Sequence, residues 1–387
     1  MYPILLSSAA ALSLALPTHA EPAPPRPESS VTADRLIAHI DALPAKRAAW
    51  GDDEHKRGLR EAESRLIATL KGYGYQPVLD PVDFLGNRSP RPAESDSTDP
   101  QPASKPDSEP DSEPAAPRDA PWHNIIVEIP GRASPGEILI LSAHFDAVPN
   151  SPGADDDGSG VAALLEAARV LKDAPMQRTV RLILFNLEEV GLVGSRAYVE
   201  RIKDDVADGT QKIVGMISAD GIGYYTDAPD SQKSPIPAVG SFKPPTVGDF
   251  LGMAGLLRHR HFSQALDHAM RQREPALKTV VVDFLPIAPR DLLRSDHAPF
   301  LAIGVPAVIL ADTANFRNPH YHQPTDTVAT LDKDRYTTAA RAIIGALHTL
   351  AGPVGSELVD LAPPARPAPA PRPPPETPSA PQPAQTP

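Results

Sequence analysis

The chain has 387 residues, 48 of them proline, and no cysteine. That excludes disulfides, thiolate metal sites and a cysteine nucleophile, so any metal must be held by His, Asp and Glu. About half of the formal net charge of -12 comes from one acidic run, Glu94 to Pro114, and no Lys/Arg stripe with interleaved aromatics occurs, which argues against nucleic acid as a partner.

Residues Met1 to Ala20 have the form of a secretory signal: an apolar run from Ile4 to Leu16, then Pro17-Thr-His-Ala20 as a cleavage site. That run is too short to span a bilayer, and export implies a secreted or periplasmic location. Residues 21–30 read as a Pro-rich linker. Val31 to Leu43 and Asp52 to Tyr73 carry helical apolar periodicity. Tyr75 to Phe84 and His123 to Pro130 read as a strand pair. The acidic Pro/Ser-rich stretch 88–121 lies between them as a disordered insertion at a hairpin tip, where added length costs little entropy.

Strand and helix then alternate: strand Glu137 to Ser142, helix Gly160 to Lys172, strand Thr179 to Leu187, helix Gly191 to Lys203, strand Lys212 to Ala219. Tyr224 to Gly248, rich in Pro, Gly and Ser, reads as a loop. A helix around Phe250 to Gln272, strands Lys278 to Leu285 and Val305 to Leu310, and a closing helix Asp332 to Leu350 follow. The Pro/Ala-rich tail 353–387 reads as disordered. The fold expected is α/β: a three-layer α/β/α arrangement with a mixed, mainly parallel central sheet, in a single catalytic domain over residues 31–352.

Polar residues gather where these strands end. His144 and Asp146 leave the first parallel strand on the same side, and Gly153-Ala-Asp155-Asp156-Asp157-Gly-Ser-Gly160 leads into the next helix. Glu188-Glu189 ends the second strand and Asp220 the third. Asn318-Pro-His-Tyr-His322-Gln-Pro-Thr-Asp326-Thr327 adds two imidazoles from a turn-rich loop. Each piece alone could be a helix cap or a solvated turn. Together they place hard or borderline ligands at the carboxyl edge of one sheet, a set that suits zinc. Of two consecutive carboxylates, one can bind metal while its neighbour faces substrate as a base.

This run of motifs, over roughly Ile125 to Leu350, resembles the co-catalytic dizinc aminopeptidases of the bacterial leucyl-aminopeptidase type, whose clan also contains carboxypeptidase-like enzymes and glutaminyl cyclases. The resemblance implies two zinc ions per chain, one held by His144, Asp156 and Asp220, the other by Asp156, Glu189 and His322. It implies Glu188 as general base acting on a hydroxide bridging the ions, and Asp146 as the carboxylate that orients the histidine ligand. His322 is preferred to His320 by its spacing to Asp326-Thr327. Ser295, Asp296 and His297 match a segment lining the site. The activity implied is removal of N-terminal residues from peptides with a free amino terminus.

The chain departs from the family at Leu292, where relatives place a tyrosine that steadies the oxyanion. Tyr321, Arg317 and Tyr224 are the candidates to replace it. A carboxypeptidase gripping its substrate through Arg290, Arg294 or Arg317, a small-amide deacylase, a glutaminyl cyclase and a non-catalytic envelope protein stapled by zinc are the alternatives.

Overall fold

The computed structural model describes residues 26–83, 122–235, 238, 243–285 and 290–361. The strands are β1 (Val78–Val82), β2 (Trp122–Ile129), β3 (Ser134–His144), β4 (Arg178–Phe185), β5 (Lys212–Ala219), β6 (Leu251–Leu256), β7 (Thr279–Phe284) and β8 (Ala307–Ala311). They form one sheet in the order β1-β2-β4-β3-β5-β8-β6-β7. The centre, β4-β3-β5-β8, is parallel, and so is the β6-β7 edge. The pairs β1-β2, β2-β4 and β6-β8 are antiparallel. Because the four central strands point the same way, their carboxyl ends share one edge of the sheet.

Side-chain alternation along these strands builds two cores, one on each face. Leu139 and Leu141 of β3, with Leu182 and Leu184 of β4, pack on one face; Ile138, Ile140, Ile183 and Phe185 pack on the other. The first face is covered by α1 (Ala33–Asp41), α2 (Asp53–Gly72), α3 (Gly158–Leu171), α5 (Arg260–Arg273) and α7 (Lys333–Ala351). α4 (Val193–Ala207) and α6 (His297–Ala302) cover the second through Tyr198, Ile202 and Phe300. This is the three-layer, mainly parallel arrangement expected. Asp52, Asp157 and Asp332 cap the helices α2, α3 and α7, each accepting a backbone amide of the first turn.

Three expectations need correction. The helix expected around Phe250 to Gln272 is strand β6 followed by α5. Leu251–Leu256 lies between β8 and β7 and takes ladder bonds from both, and this tertiary pairing overrides the segment's weak helical pattern.

The supposed linker packs from Arg26 onward: Glu28 is fully buried, 3.1 Å from Arg26 Nε and 3.3 Å from Arg273 Nη1. At the other end the chain stays on the body past residue 352. Val354 N bonds Pro175 O at 2.9 Å, and Leu361 is buried. The signal segment 1–20, the insertion 88–121 and the tail beyond 361 lie outside the described residues.

Candidate metal centre

Six of the predicted residues converge at the carboxyl edge of the central strands. His144 closes β3; Glu188 and Glu189 follow β4; Asp220 follows β5; Asp156 precedes α3; and His322 comes from the loop after β8. Local backbone sets their aim. Leu187 and His322 both adopt left-handed φ, 62° and 58°, at a cost of about 1–3 kcal/mol each. α3 approaches β5 closely only because residue 160 is glycine, since a Cβ there would stand 2.3 Å from Ala219 O.

The donor atoms form two triads that share one residue. His144 Nε2 is 3.1 Å from Asp156 Oδ1 and 3.7 Å from Asp220 Oδ1. His322 Nε2 is 3.1 Å from Asp156 Oδ2 and 3.2 Å from Glu189 Oε2. Asp156 therefore presents one oxygen to each imidazole. Donors about 2.0–2.1 Å from a tetrahedral zinc stand about 3.3 Å apart, and these separations bracket that value. Asp156 Oδ2, Glu189 Oε1 and His322 Nε2 are buried without hydrogen-bond partners, as atoms reserved for a cation would be. The residues present thus fit a pair of zinc ions.

Without a cation the cluster can only store protons. Burial opposes charge on His144, yet the carboxylates of Glu188, Asp146, Asp156 and Asp220 outweigh it and push the imidazole well above its ordinary value. The same competition raises His322 to about 10, through Asp156 and Glu189. Burial and the Asp156 charge raise Glu189 to about 7. Glu188 is pushed well above the carboxylate range by burial, with Glu189 and Asp220 adding to it. Its Oε2 stands 4.0 Å from His144 Nε2, farther than either partner of that imidazole's triad. Glu188 could complete a third grouping with His144 and Glu189, but its distance leaves it the uncommitted carboxylate of the set.

Asp146 is fully buried, and its carboxylate has a further task besides facing the histidine. Its Oδ1 and Oδ2 accept the amides of Glu188 (3.0 Å) and Glu189 (3.2 Å). His144 Nδ1 lies 3.1 Å from the backbone carbonyl of Asp146 and 3.6 Å from Oδ1. That carbonyl accepts from Nδ1–H and leaves the Nε2 lone pair facing the site.

The remaining predicted residues divide. Ser295 lines a cavity of ≈ 150 Å³ beside Asp220, together with Phe250, Met253, Val282, Leu292 and Tyr321. Asp296 and His297 are fully buried; burial raises the first to about 7 and lowers the second to about 4.

Tyr321 stacks on His322 with ring centroids 3.9 Å apart, and its hydroxyl oxygen accepts from Arg294 Nη2 at 2.8 Å. Arg317 is not at the site: its buried guanidinium donates to Gln232 Oε1 (2.8 Å) and Phe250 O (2.7 Å), linking those two residues. Tyr224 stands edge-on to His320, and both lie outside the two triads.

Sequence reasoning missed the residues that fasten these pieces together. Asp157 Oδ2 accepts from His144 N (3.0 Å), and its Oδ1 accepts from Gly160 N (3.0 Å) and Gly221 N (3.1 Å). One buried carboxylate thus joins β3, α3 and the end of β5. Asp326 accepts the amides of Asp155 (2.9 Å) and Asp156 (3.2 Å). Its fixed spacing from His322 was the only signal that could have found it.

The chain is similar to known peptidases in sequence and in fold. A profile of peptidase family M28 matches residues 124–347. The chain is 30% identical over 240 residues to the uncharacterized protein YfbL of Escherichia coli (strain K12), covering 59% of this chain and 71% of that one. It is 28% identical over 235 residues to aminopeptidase YwaD of Bacillus subtilis (strain 168), covering 58% of this chain and 44% of the relative, so it spans less than half of that relative's length. Its fold is similar to that of an aminopeptidase from Aneurinibacillus sp. strain AM-1, with a TM-score of 0.60 at 19% identity over 86% of this chain and 97% of the other.

Proposed function

The chain belongs to peptidase family M28, and from that premise we propose that it is an aminopeptidase working with two zinc ions, one in the triad His144, Asp156, Asp220 and one in the triad Asp156, Glu189, His322. The observation that carries this reading is the shared Asp156, one oxygen per imidazole, with Glu188 left uncommitted beside it. Zinc bound there would act as a Lewis acid on the scissile carbonyl and bring the pKa of a water towards neutrality.

The protein's own groups supply the rest. The Glu188 carboxylate takes the proton of the attacking water and returns it to the leaving amine. Asp146 fixes the turn that presents Glu188 and Glu189 in different directions. The Tyr321 hydroxyl accepts from Arg294, which leaves its own proton free to bond the carbonyl oxygen as charge develops. Leu292, standing where leucyl-type relatives place their tyrosine, lines the apolar cavity, which suits the side chain of an apolar terminal residue. Tyr321→Phe is expected to lower kcat on the order of 10²-fold with KM little changed, measured by steady-state kinetics on a leucyl anilide.

The rival chemistries lack support in the site. A carboxypeptidase needs a free cation at the site for the terminal carboxylate, but Arg317 bonds backbone and Gln232, Arg294 bonds Asp291, Asn315 and Tyr321, and Arg290 is exposed and does not line the cavity beside Asp220. A single-zinc cyclase has no use for the second triad. A structural staple needs no uncommitted glutamate. Export is part of the same reading, supported by the apolar run at Ile4 to Leu16. Among the described residues no helix is long and apolar enough to cross a membrane.

The deciding experiment compares leucyl and phenylalanyl peptides with free and acetylated amino termini, before and after removal of zinc by a chelator. Cleavage of the free peptides alone, lost on chelation and restored by zinc, is the expected result. Equal cleavage of the blocked peptides overturns the aminopeptidase reading.

A further inference from the structure

We infer that Arg47 is a positioning residue of the metal centre, acting through the loop that joins His144 to Asp156. The inference rests on the two-zinc reading above. The loop from Phe145 to Gly153 carries no regular structure, so its buried carbonyls have no ladder partners and must find donors elsewhere. Arg47 provides them. Its guanidinium is buried, at 2% exposure. Nε donates to Phe145 O at 2.9 Å, Nη2 to Gly153 O at 2.6 Å, and Nη1 to Pro152 O and to Pro44 O. The Arg47 carbonyl in turn accepts from Ala147 N at 2.9 Å.

One side chain thereby pins both ends of the loop. Phe145 directly follows one ligand, and Gly153 lies just before another. The fit at Gly153 is tight: its φ is +64°, and a Cβ there would stand 2.7 Å from Arg47 Nη2. The Gly153 carbonyl also accepts from Gly158 N at 3.1 Å, so Arg47 is linked to the first turn of α3. Asp326 holds the following Asp155 and Asp156 amides.

The planar fork of arginine matches several carbonyls at once, which the point charge of lysine cannot. Burial works against the guanidinium's charge, and the carboxylates of Asp326, Asp146, Asp156 and Asp157 offset this. Arg47 lies between α1 and α2, upstream of residues 124–347. The N-terminal segment is thus part of the centre and not an appendage to it.

The test uses the full chain with Arg47→Lys and Arg47→Ala. Apparent zinc affinity is read by competition with a chromophoric chelator, kinetics at saturating zinc, and stability by thermal unfolding. Expected are a 10- to 100-fold loss of zinc affinity, a fall in kcat with KM within about twofold, and partial recovery of affinity in Arg47→Ala on adding millimolar guanidinium. Should Arg47→Ala fail to fold, Arg47→Lys carries the test.

Native zinc affinity and kcat in a folded Arg47→Lys protein with a lowered Tm would assign Arg47 to the fold alone and overturn the inference. Failure of the unaltered chain to bind zinc would instead overturn the metal reading, and this inference with it.

Discussion

Glu188→Gln is expected to retain two zinc ions per chain and to lose turnover on the order of 10²- to 10⁴-fold, the usual contribution of a general base. The amide has the size and hydrogen-bonding outline of the carboxylate, so the loop fixed by Asp146 keeps its course. Neither triad needs the residue, because His144 has nearer partners in Asp156 and Asp220. What the variant lacks is a basic oxygen to take a proton from water and return it to the amine. Metal analysis after exhaustive dialysis, beside kcat on a leucyl anilide, separates the two effects. A variant with two zincs and a near-native rate removes Glu188 from the mechanism, while one that loses zinc makes it a ligand.

Asp156→Ala is expected to cost both metals together. Each of the other four donors serves one triad, but the two oxygens of Asp156 serve one apiece, so truncation leaves each triad with two side chains. The loss in zinc affinity should exceed the 10- to 100-fold typical of residues that only support a ligand. Activity in micromolar zinc should fall to background. Asp220→Ala is the informative contrast, since it weakens one triad and spares the other. Calorimetric titration with zinc reads both stoichiometries. Retention of two tight sites in Asp156→Ala would show that the carboxylate does not bridge.

The strands that carry the ligands were legible because each is a short apolar run that ends at a polar residue, and a buried parallel strand demands that pattern locally. Strand β6 was not: Leu251–Leu256 contains two glycines and no β-branched residue, so nothing local distinguishes it from a helix start. It becomes a strand through β8 and β7. Arg317 misled for a related reason. An arginine in a loop near a histidine ligand reads the same whether it grips substrate or, as here, bonds the Phe250 carbonyl.

From residue order alone came the α/β class and the strand ends that bear the chemistry, since each of these is written in stretches a few residues long; the grouping of those residues into two triads came from the resemblance to the dizinc aminopeptidases. The folded chain decided how they are held. Asp326 reaches an amide 171 positions away, Arg47 a carbonyl 98 away, and Asp157 an amide 64 away. A buried carboxylate or guanidinium leaves no periodic trace around itself. Its partners are backbone groups, which every residue possesses, so only the fold can say which of them it meets.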